Sequence, residues 1–254
     1  MRWIKYLVLL NTFIAPAWPA EGDDLFCQEL KIGASRPIQL ADRNQTTGLT
    51  HWQRVERTGI YSYRLHFQLR FLPFRSEEKI DPGFRERMAS CLEEFNPKLQ
   101  AKDEEGRVWK VELVIDPAES EALTIFVGGK GTNPKARWRT KDFLRPSYLL
   151  YPSDISCQSV VHEMLHLGGL VDEYSEGKEF PCRAAGPLSS VMSNEYLALG
   201  ETTKFALQPA HVRALAYPGC QEKNAKYYHC AQRSYLTGGC HALPECAVDS
   251  GWLR

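Results

Sequence analysis

Between Tyr61 and Phe71 the chain alternates: the odd positions (Tyr61, Tyr63, Leu65, Phe67, Leu69, Phe71) are apolar, and the even ones (Ser62, Arg64, His66, Gln68, Arg70) are polar. Side chains on a strand point to opposite faces in turn, so this period predicts a strand buried on one side. The period then changes. Phe84, Met88, Cys91, Leu92 and Phe95 keep the spacing of one helix face. Asp81-Pro82 ahead of them suits a helix start, with Asp as N-cap and Pro at the first helical position. Asn96-Pro97 weakens or stops that helix. Val108 to Ile115, Leu123 to Val127 and Tyr148 to Tyr151 predict further strands, with a basic glycine loop, Gly128-Gly129-Lys130-Gly131, between the last two. Pro152-Ser153-Asp154 signals a second helix, and Pro209 to Ala216, closed by Pro218-Gly219, a late one. From Glu21 to Gly59 the chain is polar and turn-rich and shows neither period. The order of strand, helix, strands and helix is that of an α+β fold, with α/β the other arrangement it admits.

The chain starts with an unlike segment. Arg2 and Lys5 precede an apolar run from Tyr6 to Ile14, and Ala15-Pro16-Ala17 supplies small residues. This is the pattern of a secretory signal peptide, residues 1–17, with cleavage after Ala20 as the alternative. The run is too short to span a bilayer, and no later segment is longer. Without Arg2 and Lys5, 29 basic residues face 31 acidic ones, so the exported chain carries about −2. That balance excludes the basic excess of a nucleic-acid binder. All eight cysteines follow this segment, and an even count in an exported chain predicts disulfides. No CxxC occurs, which argues against a zinc ribbon or a thioredoxin-type motif. Four cysteines fall in residues 220–254, which read as a stapled C-terminal appendage to a domain at 18–219.

Chemistry concentrates in His162-Glu163-Met164-Leu165-His166-Leu167-Gly168-Gly169-Leu170-Val171-Asp172-Glu173-Tyr174. Histidines four apart on a helix share a face, so both imidazoles can reach one cation. Zinc takes such nitrogens at about 2.0–2.1 Å, and Glu163 is placed to take the proton of a zinc-bound water. A catalytic zinc requires three protein ligands and an open position. Gly169 can adopt the positive φ that ends a helix abruptly, after which the chain can return Asp172 to the same ion. An Asp ligand leaves the site less positive than three histidines, so the bound water is less acidic and Glu163 matters more. Downstream, Met192 in Ser190-Val191-Met192-Ser193 suits an apolar floor beneath the metal.

His162-Glu163-x-x-His166-x-x-Gly169-x-x-Asp172 resembles the extended zinc motif of the metzincin clan of zinc endopeptidases, with Asp in place of the last His. Ser190-Val191-Met192-Ser193 is similar to its Met-turn. The Asp variant resembles snapalysin-type bacterial neutral proteases. The ending Asp172-Glu173-Tyr174 is similar to IgA-peptidase-type secreted zinc peptidases, whose spacing is one residue longer. The resemblance covers residues 162–193. It implies a twisted mixed sheet with a zinc-site helix, a Met-turn and a C-terminal helix. It also implies one zinc held by His162, His166 and Asp172, and Glu163 as general base. Two departures leave alternatives open. Glu173 can replace Asp172 as third ligand. Asn194 stands where some members have a tyrosine that stabilises the oxyanion, a role open to Tyr174 or Tyr196.

Other residues carry less. Glu195 is the third ligand of a thermolysin-like alternative, which leaves Gly169, Asp172 and Met192 without a purpose. His51, His66, His211, His229 and His241 lack ligand spacing and read as surface or hydrogen-bonded residues. Cys157 and Cys182 flank the motif and read as bridges that fix the site loop. Lys130, Lys135, Arg137, Arg139 and Lys141 read as a solvated loop; the alternative is an edge strand that pairs with an extended, acidic peptide. No Gly-x-Ser-x-Gly elbow or phosphate-binding loop occurs. The expectation is a secreted or periplasmic zinc endopeptidase acting on a protein or peptide substrate, monomeric by default, without nucleic acid or a membrane span. The alternative is a secreted binding module in which zinc or disulfides only stabilise a scaffold.

Overall fold

The structure is a computed structural model that describes residues 27–41, 50–75, 77, 79–103, 105–118, 122–131, 135–138, 148–170, 175–176, 181–182, 192, 207–218 and 220. The expected signal segment 1–17 lies outside these residues. So does the C-terminal segment, apart from Cys220.

Eight strands form one mixed sheet: β1 (Ser35–Ala41), β2 (Thr50–Gly59), β3 (Ser62–Pro73), β4 (Gln100–Lys102), β5 (Val108–Asp116), β6 (Leu123–Gly128), β7 (Lys135–Trp138) and β8 (Tyr148–Pro152). The order is β1-β2-β3-β6-β8-β7, with β5 also on β3 and β4 on β5. β3 runs parallel to β5 and β6, and β6 parallel to β8, whereas β1, β2, β4 and β7 join antiparallel. Two short strands, β9 (Ser175–Glu176) and β10 (Pro181–Cys182), pair separately. Among the described residues the α-helices are α1 (Phe84–Phe95), α2 (Cys157–Leu167) and α3 (Pro209–Ala216). This is the mixed α+β architecture that the hydrophobic pattern predicts. No helix among the described residues is long and apolar enough to cross a membrane.

The alternation on β3 decides which side of the sheet is covered. Tyr63, Leu65, Phe67 and Leu69 are buried and share one core with Met88 and Leu92 of α1, Val161 and Leu165 of α2, and Val212 and Leu215 of α3. Each such side chain contributes about 1.5–3 kcal/mol by leaving water. On the other face, His66 is the buried exception. Its Nε2 lies 3.0 Å from Glu56 and its Nδ1 3.1 Å from Asp116, so carboxylates on β2 and β5 offset its desolvation.

Two helix starts differ from the sequence expectation. α1 begins at Phe84, not at Asp81-Pro82, because Asp81 closes a turn of its own: its carboxylate accepts from Gly83 N–H (3.0 Å) and its carbonyl from Phe84 N–H (2.9 Å). α2 starts after Ser156 instead of Pro152-Ser153-Asp154. Pro152 is still paired with Gly128 in the sheet, and Ser156 is the N-cap, its hydroxyl accepting from Ser159 N–H at 3.2 Å. α3 matches its expected range, with Pro209 in its first turn and a reciprocal cap between Gln208 and His211.

Two disulfides join the described residues. Cys91–Cys157 ties α1 to the first residue of α2, as expected of a bridge near the motif, and Cys27–Cys220 links residues 193 apart in sequence. Cys220 is buried in the main core. Arg87 of α1 adds a bond to the Ser153 carbonyl at 2.5 Å, so α1 holds the approach to α2 at two points.

Candidate metal site

The site grows from α2. Its residues Val160, Val161, Met164, Leu165 and Leu167 are buried apolar side chains, and His162 and Glu163 are buried among them. Burying imidazole and carboxylate in an apolar helix costs free energy unless something compensates. The four-residue spacing puts both histidines on one face, as the sequence predicts. Their rings meet edge to face with centroids 4.7 Å apart, and His162 Nε2 stands 3.1 Å from His166 Nε2. Two nitrogens bound to one tetrahedral zinc at about 2.0–2.1 Å stand roughly 3.3 Å apart. The pair therefore has the convergence a zinc site demands.

The end of the helix orients one of these rings. Gly169 has φ +102°, the left-handed conformation expected of it. Around it Gly169 N–H donates to His166 O (2.9 Å) and Leu170 N–H to Leu165 O (3.0 Å), the paired bonds of a Schellman turn. Leu165 and Leu170, the positions that are commonly apolar in that motif, are both buried in the core. The turn also brings the Leu170 carbonyl to 3.0 Å from His166 Nδ1. A carbonyl can only accept, so Nδ1 is the donor of this bond and Nε2 is the nitrogen that faces His162. A metal-binding imidazole is held by this kind of bond from its other nitrogen.

Gly168 has a separate reason to be glycine. A Cβ there would lie 2.6 Å from Leu215 Cδ2 of α3 and 3.4 Å from Leu65 Cδ1 of β3. One glycine of the pair thus permits the turn, and the other lets the helix end press against α3.

Glu163 is 7% exposed. Tyr151, on β8, is fully buried; desolvation pushes its hydroxyl pKa well above the ordinary tyrosine value, and the negative charge of Glu163 adds to the rise. Met192 is fully buried within the same core as α2. Asp172, Glu173 and Tyr174 lie outside the described residues, as do Asn194, Glu195 and Tyr196. Among the described residues no group of three His, Cys, Asp or Glu side chains is placed to hold a metal, so the described part of the candidate site is the histidine pair, with Glu163 next to His162 in sequence on the same helix.

The remaining histidines behave as the sequence suggests where they are described. His66 and His211 are hydrogen-bonded, and His51 bonds Leu167 O through Nε2 at 2.8 Å. His229 and His241 lie outside the described residues. The basic run is corrected in part: Lys135–Trp138 is not a loop but the antiparallel edge strand β7, paired with β8. Arg139 and Lys141 lie outside the described residues. Three features of the site have no mark in the hydrophobic pattern: the Leu170 carbonyl, the tight packing at Gly168, and His51. The Gly-Gly pair after His166 was the available signal for the first two.

Comparison with known proteins adds no relative: no family model, no curated protein and no solved structure matches this chain.

Proposed function

We propose that this chain is a secreted zinc-dependent endopeptidase with a metzincin-like site. The observation that carries the reading is the convergence of two imidazole Nε2 atoms at 3.1 Å, one of them with its other nitrogen committed to Leu170 O. The mixed sheet with its antiparallel edge strand β7, the buried Met192 and the late helix α3 support the clan's architecture. The disulfides support export to an oxidising compartment.

In this reading His162, His166 and Asp172 hold one zinc ion, with Glu173 the alternative third ligand. The ion, when bound, supplies Lewis acidity that polarises the scissile carbonyl and makes water nucleophilic near neutral pH. Glu163 takes the proton from the attacking water and passes it to the leaving amine. Glu163 is one residue on from His162 on the same helix, and its burial would limit its exchange with bulk water. An extended substrate would pair with the edge strand β7.

The test is zinc quantification on purified protein beginning at residue 18 or 21, with casein and peptide-library cleavage measured with and without chelator. About one zinc per chain and cleavage that chelator abolishes and zinc restores are expected. Bound zinc without cleavage would favour the binding-module alternative, and absence of zinc binding would overturn the reading.

A further inference from the structure

The last turn of α2 has carbonyls that must find donors as the helix ends. Three of them are served within the helix and its turn: Met164 O accepts from Gly168 N–H (3.0 Å), Leu165 O from Leu170 N–H (3.0 Å) and His166 O from Gly169 N–H (2.9 Å). The fourth, Leu167 O, accepts from His51 Nε2 at 2.8 Å. His51 belongs to β2, a strand paired on both sides, with β1 and β3. The end of the helix is therefore held from two directions, by a local turn and by a sheet strand 116 residues away in sequence.

We propose that His51 is a positioning residue for the candidate metal pair, through its bond to the Leu167 carbonyl. Leu167 lies between His166 and the turn whose Leu170 carbonyl fixes the His166 ring. Without a donor on Leu167 O, the last turn keeps its Schellman bonds and its core packing but loses its tie to the sheet, and the distance from Leu170 O to His166 Nδ1 is held less tightly. His51 makes no contact with the ion in this scheme. It requires the Nε2 proton, which a donor near a helix C-terminus can supply in either charge state. The inference rests on the zinc reading and deepens it.

The experiment uses the full exported chain and compares the parent with His51→Ala, His51→Asn and His51→Gln. Zinc affinity is measured by chelator competition, and amide exchange at Gly169 and Leu170 is followed on metal-free protein. A glutamine amide reaches about as far as histidine Nε2, whereas asparagine is too short. Loss of a partner that orients a metal ligand lowers affinity by about 10–100-fold. His51→Ala and His51→Asn are expected to show that loss with faster exchange at both amides, and His51→Gln to recover most of it. A purely structural cap would lower thermal stability and leave zinc affinity unchanged. Parent-like affinity and exchange in folded His51→Ala and His51→Asn would overturn the inference while leaving the zinc site standing. Failure of the parent to bind zinc would overturn both. If His51→Ala does not fold, His51→Gln against His51→Asn decides: equal affinities contradict the proposal.

Discussion

The helices α1 and α2 are joined by one disulfide and packed in one core, yet they are built on different terms. α1 buries Phe84, Met88, Cys91, Leu92 and Phe95 along a single stripe and leaves Glu86, Glu93 and Glu94 in water. Its apolar face and its charged face each sit where their solvation is best. α2 buries seven of its eleven residues, and two of the seven are His162 and Glu163. Its N-cap, its Schellman turn and His51 all hold it in place. α1 has no side-chain cap at its start and passes into a 3-10 turn over Asn96–Lys98 at its end. The difference separates apolar packing from polar burial: α1 is a helix with one apolar face, whereas α2 buries an imidazole and a carboxylate and has the His166 ring held by the turn that ends it.

Substitutions that act on one helix and not on the other can break this comparison. The largest effect is expected of His162→Ala and His166→Ala. Each should abolish tight zinc binding and reduce peptide cleavage to background, and each should remove any rise in Tm on zinc addition. Parent-like zinc affinity in either variant would detach the pair from the metal. Next comes Met88→Ala on α1, which should cost about 2–5 kcal/mol in denaturant unfolding as a buried large-to-small change. Zinc affinity of the folded fraction should stay at the parent value, because Met88 contributes volume and not orientation. A smaller loss is expected of Gly169→Ala on α2, about 1–2 kcal/mol for a Cβ in the left-handed conformation. Here zinc affinity should fall as well, since the same turn presents Leu170 O to His166. Stability loss without affinity loss would contradict the role given to the turn. Glu94→Ala, on the exposed face of α1, should change stability by no more than about 0.5 kcal/mol and leave zinc binding alone.

Much of the scaffold was legible because its signals are periodic. The strict alternation before Phe71 located β3, and the Phe84-to-Phe95 spacing located α1 with its five buried residues. β2 left no such trace. On the core face it places His51 and Gln53 ahead of Val55, and on the other face it carries an exposed Trp52 with Arg54 and Glu56, so polarity does not follow the two faces of the strand. Its burial is decided by hydrogen bonds and by neighbouring strands, which a hydrophobicity pattern does not register. β7 was hidden for a related reason: a basic edge strand reads like a solvated loop, and charge on an edge is how sheets avoid pairing with other sheets. At the site, the His-x-x-x-His spacing and Gly169 were readable because helix periodicity and positive φ follow from local geometry. His51 was not, because its role arises only when β2 and α2 are brought together across 116 residues.

The central claim is that Glu163 works as a base between two metal-binding histidines, and Glu163→Gln tests it most directly. Glutamine keeps the shape of the side chain and removes its capacity to accept a proton. Purified from residue 18 or 21, that variant and the parent should be compared for bound zinc and for cleavage of the same peptide library. The account predicts equal zinc content and loss of nearly all hydrolysis. A Glu163→Gln protein that cleaves as fast as the parent would contradict it.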